Sequence, residues 1–238
     1  MALITLPDLL EHWASGSTNP GFLGQLQWSL GPEDARMRQV RSVDANDLLV
    51  QLEEADQQWH PQEEILPDGS TRYIYKRRTD EPDLSIAELK KLVQAPATFL
   101  EERRAILTLL GNLRRAGVKV VLAQPLKTGA AAEWDHAMGA LRIDPKMPQK
   151  GSVDFLRVLS HEAVHVAQSC KAGTLRSKPK TLGLVIVPTE TLSKKISDPV
   201  YANTSRWEKS LEMEAYSIQD DASRVNRIVK RECKLLAA

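Results

Sequence analysis

The chain has 238 residues, of which 42% are hydrophobic and 26% charged, a composition typical of globular proteins that bury a core. Its 32 basic and 31 acidic residues nearly cancel, so no excess of charge indicates a nucleic-acid or anionic-membrane partner. With two cysteines, no convincing secretory signal and no apolar run near the roughly 20 residues of a membrane span, we expect a cytoplasmic protein in a reducing compartment.

The first part of the chain predicts helices and one hairpin. "PDLLEHWAS" favours a helix opened by Pro7, and the apolar spacing over residues 36–59 favours a second. "EEILPDGSTRYIYKRR" predicts a hairpin, because "PDGS" is typical of a turn and "RYIYK" alternates with period two. "DLSIAELKKLV" is helical by composition. We assign residues 1–93 to an N-terminal helical and hairpin region, with a soft boundary that allows one shared core.

The remaining residues, 94–238, predict a mixed unit. A helix in "APATFLEERRAILTLLGNLRRAG" is followed by three short strands, "VKVVLA", "AEWDHA" and "GALRID", the last two reversed around Met138 and Gly139. A helix over Ser152 to Cys170 comes next, then about 30 irregular residues. One long helix from Ser205, opened by the capping box "SRWE", closes the chain. The fold class is therefore α+β and mostly helical, with a small mixed or antiparallel sheet.

The segment "LSHEAVHVAQSC" contains two histidines four residues apart in a periodic stretch without proline or glycine. Residues at this spacing lie on one helical face, so His161 and His165 can converge on one metal ion. Glu162 is rotated about 100° from His161, which directs its carboxylate beside the ion. The pattern H-E-x-x-H predicts two zinc ligands and a glutamate general base. The alternative is a helix with two hydrogen-bonded imidazoles and no metal.

A zinc ion held by two histidines needs a third protein ligand. The extended pattern with a third histidine fails, because Gln168 and Lys171 stand where it requires glycine and histidine. The other histidines all precede the pentad, which favours a carboxylate on the closing helix. Glu208 is explained by the helix cap, and helix periodicity does not choose between Glu212 and Glu214.

The pentad followed by a helix with E-x-x-A resembles the gluzincin metalloproteases, several of which carry E-x-x-A-D. The matching residues are Glu212, Ala215 and Tyr216, within "EMEAY". The resemblance covers about residues 118–225 and implies a zincin-like unit with an active-site helix and a glutamate helix. It also implies that Glu212 is the third zinc ligand and that "GALRID" is the edge strand that pairs with an extended substrate.

One position departs from the gluzincin pattern. Tyr216 stands where those families have the acidic residue that orients the first histidine. We expect the Tyr216 hydroxyl, Asp220 or Asp154 to take that role. The candidate donors to a developing oxyanion are Tyr216, Tyr201, Arg206 and His136.

These residues predict a zinc-dependent endopeptidase that acts on a protein or peptide substrate. Zn²⁺ would activate water, Glu162 would act as general base, and Tyr216 would assist catalysis. The irregular region after the pentad helix is expected to form one wall of the cleft. Cys170 is expected to be a small buried apolar residue rather than a ligand. The alternatives are a zinc-binding scaffold without peptidase activity and a metal-free helical domain; the oligomeric state is left open.

Overall fold

The computed structural model describes residues 2–5, 44–78, 81–197 and 204–235, with the backbone alone for residues 2–5. The predicted helix at Pro7 and the start of the second predicted helix lie outside the described residues. Within them the α+β class is confirmed. The helices are α1 (Ala45–Asp56), α2 (Ile86–Gln94), α3 (Leu100–Arg115), α4 (Ser152–Lys171), α5 (Glu190–Ile196), α6 (Arg206–Ile218) and α7 (Ala222–Glu232). The strands are β1 (Ala2–Thr5), β2 (Gln62–Ile65), β3 (Thr71–Ile74), β4 (Lys119–Leu122), β5 (Ala130–Asp135) and β6 (Ala140–Ile143).

The predicted hairpin is confirmed by the antiparallel pair β2 and β3, in which Gln62 lies opposite Ile74. Its turn depends on Asp68, whose Oδ1 accepts the backbone N–H and the hydroxyl of Ser70. Short polar side chains that bond to the backbone two residues on are typical of such turns. The pair forms its own two-stranded sheet.

The second sheet has the strand order β1-β5-β6-β4. β5 pairs antiparallel with β1 and β6, and β6 pairs parallel with β4. The expectation that "GALRID" provides an edge strand is therefore wrong, because Leu141 lies between Val120 of β4 and Trp134 of β5. The strand "VKVVLA", β4, is only partly buried and is itself at an edge of this sheet; it pairs with the side of β6 that an edge strand would have left free.

The central element is α4, in which every residue from 158 to 169 is buried. It contacts β5 and the helices α3, α6 and α7. Its start is fixed by Gly151, whose φ of +92° favours glycine. A Cβ at Gly151 would lie 2.8 Å from Asp56 Oδ1 and 2.9 Å from Trp59 Nε1. Only a residue without a side chain allows α1 to approach the first turn of α4 this closely.

The predicted single closing helix is wrong in one respect, because it is two helices, α6 and α7. The chain turns after Ile218, and Asp221 begins α7 by accepting the backbone N–H of Arg224 at 2.8 Å. An aspartate at this position caps a new helix more readily than it continues an old one. The predicted capping box at the start of α6 is confirmed, with Ser205 and Glu208 bonded reciprocally.

One hydrophobic core joins elements from both sides of residue 93. Leu48 and Leu52 of α1 belong to the same cluster as Trp134 of β5 and Leu159 of α4. None of the helices among the described residues is long and apolar enough to cross a membrane. The division at residue 93 stays a prediction, and α1 packs across it.

The expectation for Cys170 is wrong, because this residue forms a disulfide with Cys233, with their Cα atoms 5.0 Å apart. The bond joins the end of α4 to the residue that follows α7. Disulfides persist mainly in oxidising compartments. The cytoplasmic location stays a prediction, and this bond weighs against it.

Candidate metal centre

Helix α4 presents both histidines of the pentad on one buried face. His161 and His165 are fully buried, and their Nε2 atoms lie 3.1 Å apart. The two rings meet edge to face with centroids 4.9 Å apart. This is the convergence that the four-residue spacing predicts.

Helix α6 brings Glu212 to the same point. Its Oε2 lies 3.2 Å from Nε2 of His161 and 3.7 Å from Nε2 of His165. Ligand atoms about 2.0–2.1 Å from a tetrahedral zinc ion lie about 3.3 Å from one another. The three observed distances fit that triangle. His161, His165 and Glu212 thus form a buried group that can hold a metal ion.

The outer nitrogen of each ring is bonded to a glutamine. Nδ1 of His161 lies 3.1 Å from Oε1 of Gln219, and Nδ1 of His165 lies 2.7 Å from Oε1 of Gln168. An amide oxygen only accepts, so each Nδ1 carries the proton. In a neutral imidazole this leaves the Nε2 lone pair free to bind a metal.

The hydrogen-bonding groups at the centre of the site favour a cation there. With both protons on Nδ1, two Nε2 lone pairs and the Glu212 carboxylate face one another with no proton between them. A second proton on His161 is opposed, because burial lowers the pKa of this imidazole. Three acceptors at these distances repel one another unless a positive ion lies among them.

Glu162 is completely buried beside the ligand group. Neither of its carboxylate oxygens has a hydrogen-bond partner of normal geometry among the described residues. A buried carboxylate left in this state costs about 1–3 kcal/mol or more, so native structures rarely keep one without a purpose. It directly follows His161, so it lies next to the group that can hold a metal ion.

The two buried carboxylates differ in their pKa. Burial, followed by the charge of Glu212, raises the pKa of Glu162 well above its ordinary value, with a smaller opposing effect from the backbone of Trp134. Burial also acts to raise the pKa of Glu212, but the imidazoles of His165 and His161 outweigh it when a proton or a cation at their Nε2 atoms gives them positive charge, and they then hold that pKa well below its usual range. Glu212 is therefore the permanent anion of the pair, and Glu162 is the one suited to exchange a proton.

Nδ1 of His161 is bonded to Gln219, and the expectation for Asp154 and Asp220 is wrong because both bond elsewhere, whereas the role of the Tyr216 hydroxyl stays a prediction. Asp154 bonds to Arg78 at 3.0 Å, and Asp220 bonds to Arg157 at 2.7 Å. Tyr216 instead packs its ring edge to face against the His161 ring, with centroids 4.6 Å apart. Gln219 follows Glu212 by seven residues and keeps helical backbone angles at the end of α6, so it lies on the same face as Glu212 and reaches His161.

Glu214, the competitor of Glu212, is also buried but bonds elsewhere. Its carboxylate accepts the backbone N–H groups of Leu182, Gly183 and Leu184 and the side-chain amide of Gln168. The structure therefore separates the two glutamates, with Glu212 at the ligand group and Glu214 behind it.

The remaining candidates are not brought to the ligand group. His60, one of the histidines that precede the pentad, bonds to the carbonyl of Ala97 at 2.9 Å and stacks on Phe99. Arg206 is exposed at the start of α6, and His136 lies in the turn between β5 and β6. Tyr201 and His12 lie outside the described residues. Tyr216 is the one oxyanion candidate that the described structure places against a ligand.

Comparison with known proteins adds a domain match but no activity. Residues 146–234 match a family described as "Domain of unknown function (DUF8637)". The matched segment contains α4, α5, α6 and α7, and so includes the ligand group and both glutamines, but it covers less than half of the chain. No curated protein and no solved structure matches the chain.

Proposed function

We propose that the protein is a zinc-dependent endopeptidase of gluzincin type. His161, His165 and Glu212 would be the metal ligands, and Glu162 the general base. The observation that carries the proposal is the buried Glu162 carboxylate, which has no hydrogen-bond partner of normal geometry among the described residues and directly follows the first histidine of the ligand group. Two imidazoles and one carboxylate are a ligand set typical of catalytic zinc, whereas calcium and magnesium favour oxygen ligands alone.

The residues of the site divide the work of hydrolysis. When bound, Zn²⁺ supplies a Lewis acid and lowers the pKa of water toward about 7. Glu162 takes a proton from the attacking water and passes it to the nitrogen of the leaving amine. The raised pKa of Glu162 suits a group that must both accept and return a proton near neutral pH. Tyr216, packed against His161, is the candidate to donate a hydrogen bond to the developing oxyanion.

Entry of a substrate requires a movement near β5. The ligand group and Glu162 are buried, and the outer edge of β5 is paired with β1, whose Ala2 lies opposite Trp134. β1 also contacts α4 and α6, the two helices that carry the ligands. An extended peptide that added a strand to β5 would have to displace β1.

The second candidate is a zinc-binding scaffold without peptidase activity. The observation that favours it is the burial of all three ligands, because structural zinc sites are closed whereas catalytic sites keep an open position. The observation against it is Glu162, since a purely structural site gains nothing from a buried carboxylate without a partner.

Metal content and cleavage together test the proposal. Protein purified without chelators should contain one zinc per chain, and Glu212→Ala should lose it. Glu162→Gln should retain the zinc and reduce cleavage of a broad peptide library at least about 100-fold, because general-base catalysis contributes about 10²–10⁴-fold. Glu190→Gln, which changes an exposed glutamate on α5, is the matched control and should change neither.

Each outcome separates the candidates. Stoichiometric zinc with Glu162-dependent cleavage supports the endopeptidase. Stoichiometric zinc with no cleavage by the unsubstituted protein supports the scaffold. Protein that binds zinc no more tightly than Glu212→Ala would rule out both.

A further inference from the structure

We infer that Glu214 is a positioning residue that sets the protonated nitrogen of His165 through Gln168 and holds the 182–184 backbone beside the metal centre. The inference rests on the proposed function only in treating His165 as a metal ligand. The hydrogen-bond donors and acceptors that link Glu214, Gln168 and His165 carry it.

The first step concerns the Glu214 carboxylate, which is surrounded by hydrogen-bond donors. Oε1 accepts the backbone N–H groups of Gly183 at 2.6 Å and Leu184 at 3.0 Å. Oε2 accepts the backbone N–H of Leu182 at 2.7 Å and Nε2 of Gln168 at 2.9 Å. Three successive backbone N–H groups form an anion-binding concavity of the kind called a nest. Four donors on two oxygens require a carboxylate, because a glutamine would turn an N–H₂ group toward N–H groups.

The second step concerns the Gln168 side chain. Its Nε2 lies 2.9 Å from the Glu214 carboxylate and 3.1 Å from the backbone carbonyl of Leu211. Both partners only accept, so the amide nitrogen must face them. The amide oxygen is thereby turned to the opposite side, where Nδ1 of His165 lies 2.7 Å away.

The third step concerns His165 itself. Because the Gln168 oxygen accepts, Nδ1 of His165 must donate, and the proton of the neutral ring resides there. Nε2 then directs its lone pair at the point shared with His161 and Glu212. This is the tautomer that binds a metal, so the charge of Glu214 favours binding without touching the ion.

The fourth step concerns the irregular segment after α4. The backbone N–H of Lys180 donates to the carbonyl of Gln168 at 3.1 Å, and Nζ of Lys171 donates to the carbonyl of Leu182 at 2.5 Å. With the three bonds to Glu214, the 180–184 backbone is fixed to both α4 and α6. Displacing this segment would release Glu214 and Gln168, so its order and the tautomer of His165 are coupled.

The test compares Glu214→Gln with Gln168→Met, using Glu208→Gln as the control on the same helix. Zinc affinity is measured by competition with a chelating dye. Glu214→Gln and Gln168→Met should each weaken zinc binding about 10–100-fold, the range for losing a partner behind a metal ligand. Glu208→Gln removes a charge on the same helix while glutamine can keep the α6 capping box, so zinc affinity should not change.

The double variant distinguishes an effect of Glu214 that acts on His165 through Gln168 (the relay) from a general loosening of the structure around the site. If Glu214 acts through Gln168, adding Glu214→Gln to Gln168→Met should weaken zinc binding less than about twofold further. Amide exchange at residues 182–184 should accelerate in Glu214→Gln and stay slow in Gln168→Met. Full additivity in zinc affinity, or no change of affinity in Glu214→Gln, would overturn the inference.

A measurement without metal separates this inference from the proposed function. In chelator-treated protein, ¹⁵N spectra of the imidazoles should show the His165 proton on Nδ1 in the unsubstituted chain and a shift toward Nε2 in Gln168→Met. If the chain binds no zinc, the endopeptidase fails, while the tautomer still decides the relay. A proton on Nε2 of His165 in the unsubstituted chain rejects the relay, even if Glu214→Gln does not fold.

Discussion

Oε1 of Gln219 accepts from Nδ1 of His161 at 3.1 Å, although Gln219 caps the end of α6 and belongs to the turn before α7. Gln219 is buried at 3% exposure. The amide of Gln219 thus bonds to His161 as that of Gln168 bonds to His165, and each imidazole of the candidate ligand group is oriented by a neutral glutamine rather than a carboxylate.

This relationship predicts that Gln219→Leu weakens zinc binding about 10-fold or more, because the ring loses the acceptor that keeps its proton on Nδ1. Zinc affinity by dye competition is the measurement. Asp220→Asn is the control, since Asp220 lies one residue on and bonds to Arg157 at the surface. Equal losses of zinc affinity in the two variants would mean that the turn between α6 and α7 affects the site only through its fold and not through the Gln219 amide.

A second prediction concerns how much stability the protein loses by burying the Glu162 carboxylate. Its buried carboxylate has no hydrogen-bond partner of normal geometry among the described residues, so Glu162→Gln should stabilise the zinc-free protein at pH 7 by about 1–3 kcal/mol. Denaturant unfolding of chelator-treated protein measures this. If the proposed function holds, Glu162 is an active-site residue whose cost in stability is the expected trade for activity.

The pH dependence of that gain has a definite sign. Burial raises the pKa of Glu162 in the folded state, so the group favours folding at low pH, where it is protonated in both states. Its contribution is lost as pH rises through the raised folded-state pKa. The advantage of Glu162→Gln should therefore be small near pH 4.5 and grow toward neutral pH. A constant advantage from pH 4.5 to 7 would contradict the buried-carboxylate explanation.

The sequence was most informative where spacing alone determines geometry. The four-residue interval of His161 and His165 on an uninterrupted apolar helix left one arrangement, and the structure has it. Glu212 needed the family resemblance, because Glu212 and Glu214 are both buried and periodicity does not separate them. What decides between them is the 182–184 backbone, whose N–H groups bind Glu214. No local pattern in an irregular segment predicts that contact.

The features that the sequence did not predict share a physical cause: each depends on a contact with residues far away in the chain. Gln219 lies 58 residues after His161 in the chain and reaches it because α6 packs against α4. The break after Ile218 is hidden in the sequence because the stripe of apolar residues continues across that turn. Cys170 pairs with Cys233 across a separation of 63 residues, which neither flanking sequence indicates. The position of β6 inside the sheet likewise depends on its parallel pairing with β4, a strand that precedes β5 in the chain.

The disulfide leads to a third prediction. Closing a loop across 63 residues stabilises the folded state by about 4 kcal/mol in the chain-entropy account. Replacing both Cys170 and Cys233 with serine should lower the free energy of unfolding by a comparable amount. Thiol titration of denatured, unreduced protein should find no free thiol, and two titratable thiols would contradict the bond. Unsubstituted protein under reductant is the matched comparison and should lose the same stability.

A fourth prediction concerns the point at which α1 holds the first turn of α4. Asp56 Oδ1 accepts the backbone N–H of Ser152 at 2.7 Å, and Oδ2 accepts the Ser152 hydroxyl and Nη1 of Arg103, each at 2.6 Å. Asp56 is 1% exposed and Arg103 is 8% exposed. Asp56→Ala leaves the buried guanidinium and the helix N-terminus without this carboxylate, so the free energy of unfolding should fall by about 3–5 kcal/mol.

The control for Asp56 is Glu53, one turn earlier on α1. Glu53 reaches the same arginine at 3.5 Å, but its side chain is 65% exposed. Glu53→Ala should change the free energy of unfolding by no more than about 1 kcal/mol, because exposed ion pairs contribute little. Denaturant unfolding compares the two variants directly. If they lose the same stability, the Asp56 carboxylate is not the group that fixes the start of α4, and packing of α1 alone must account for the position of His161.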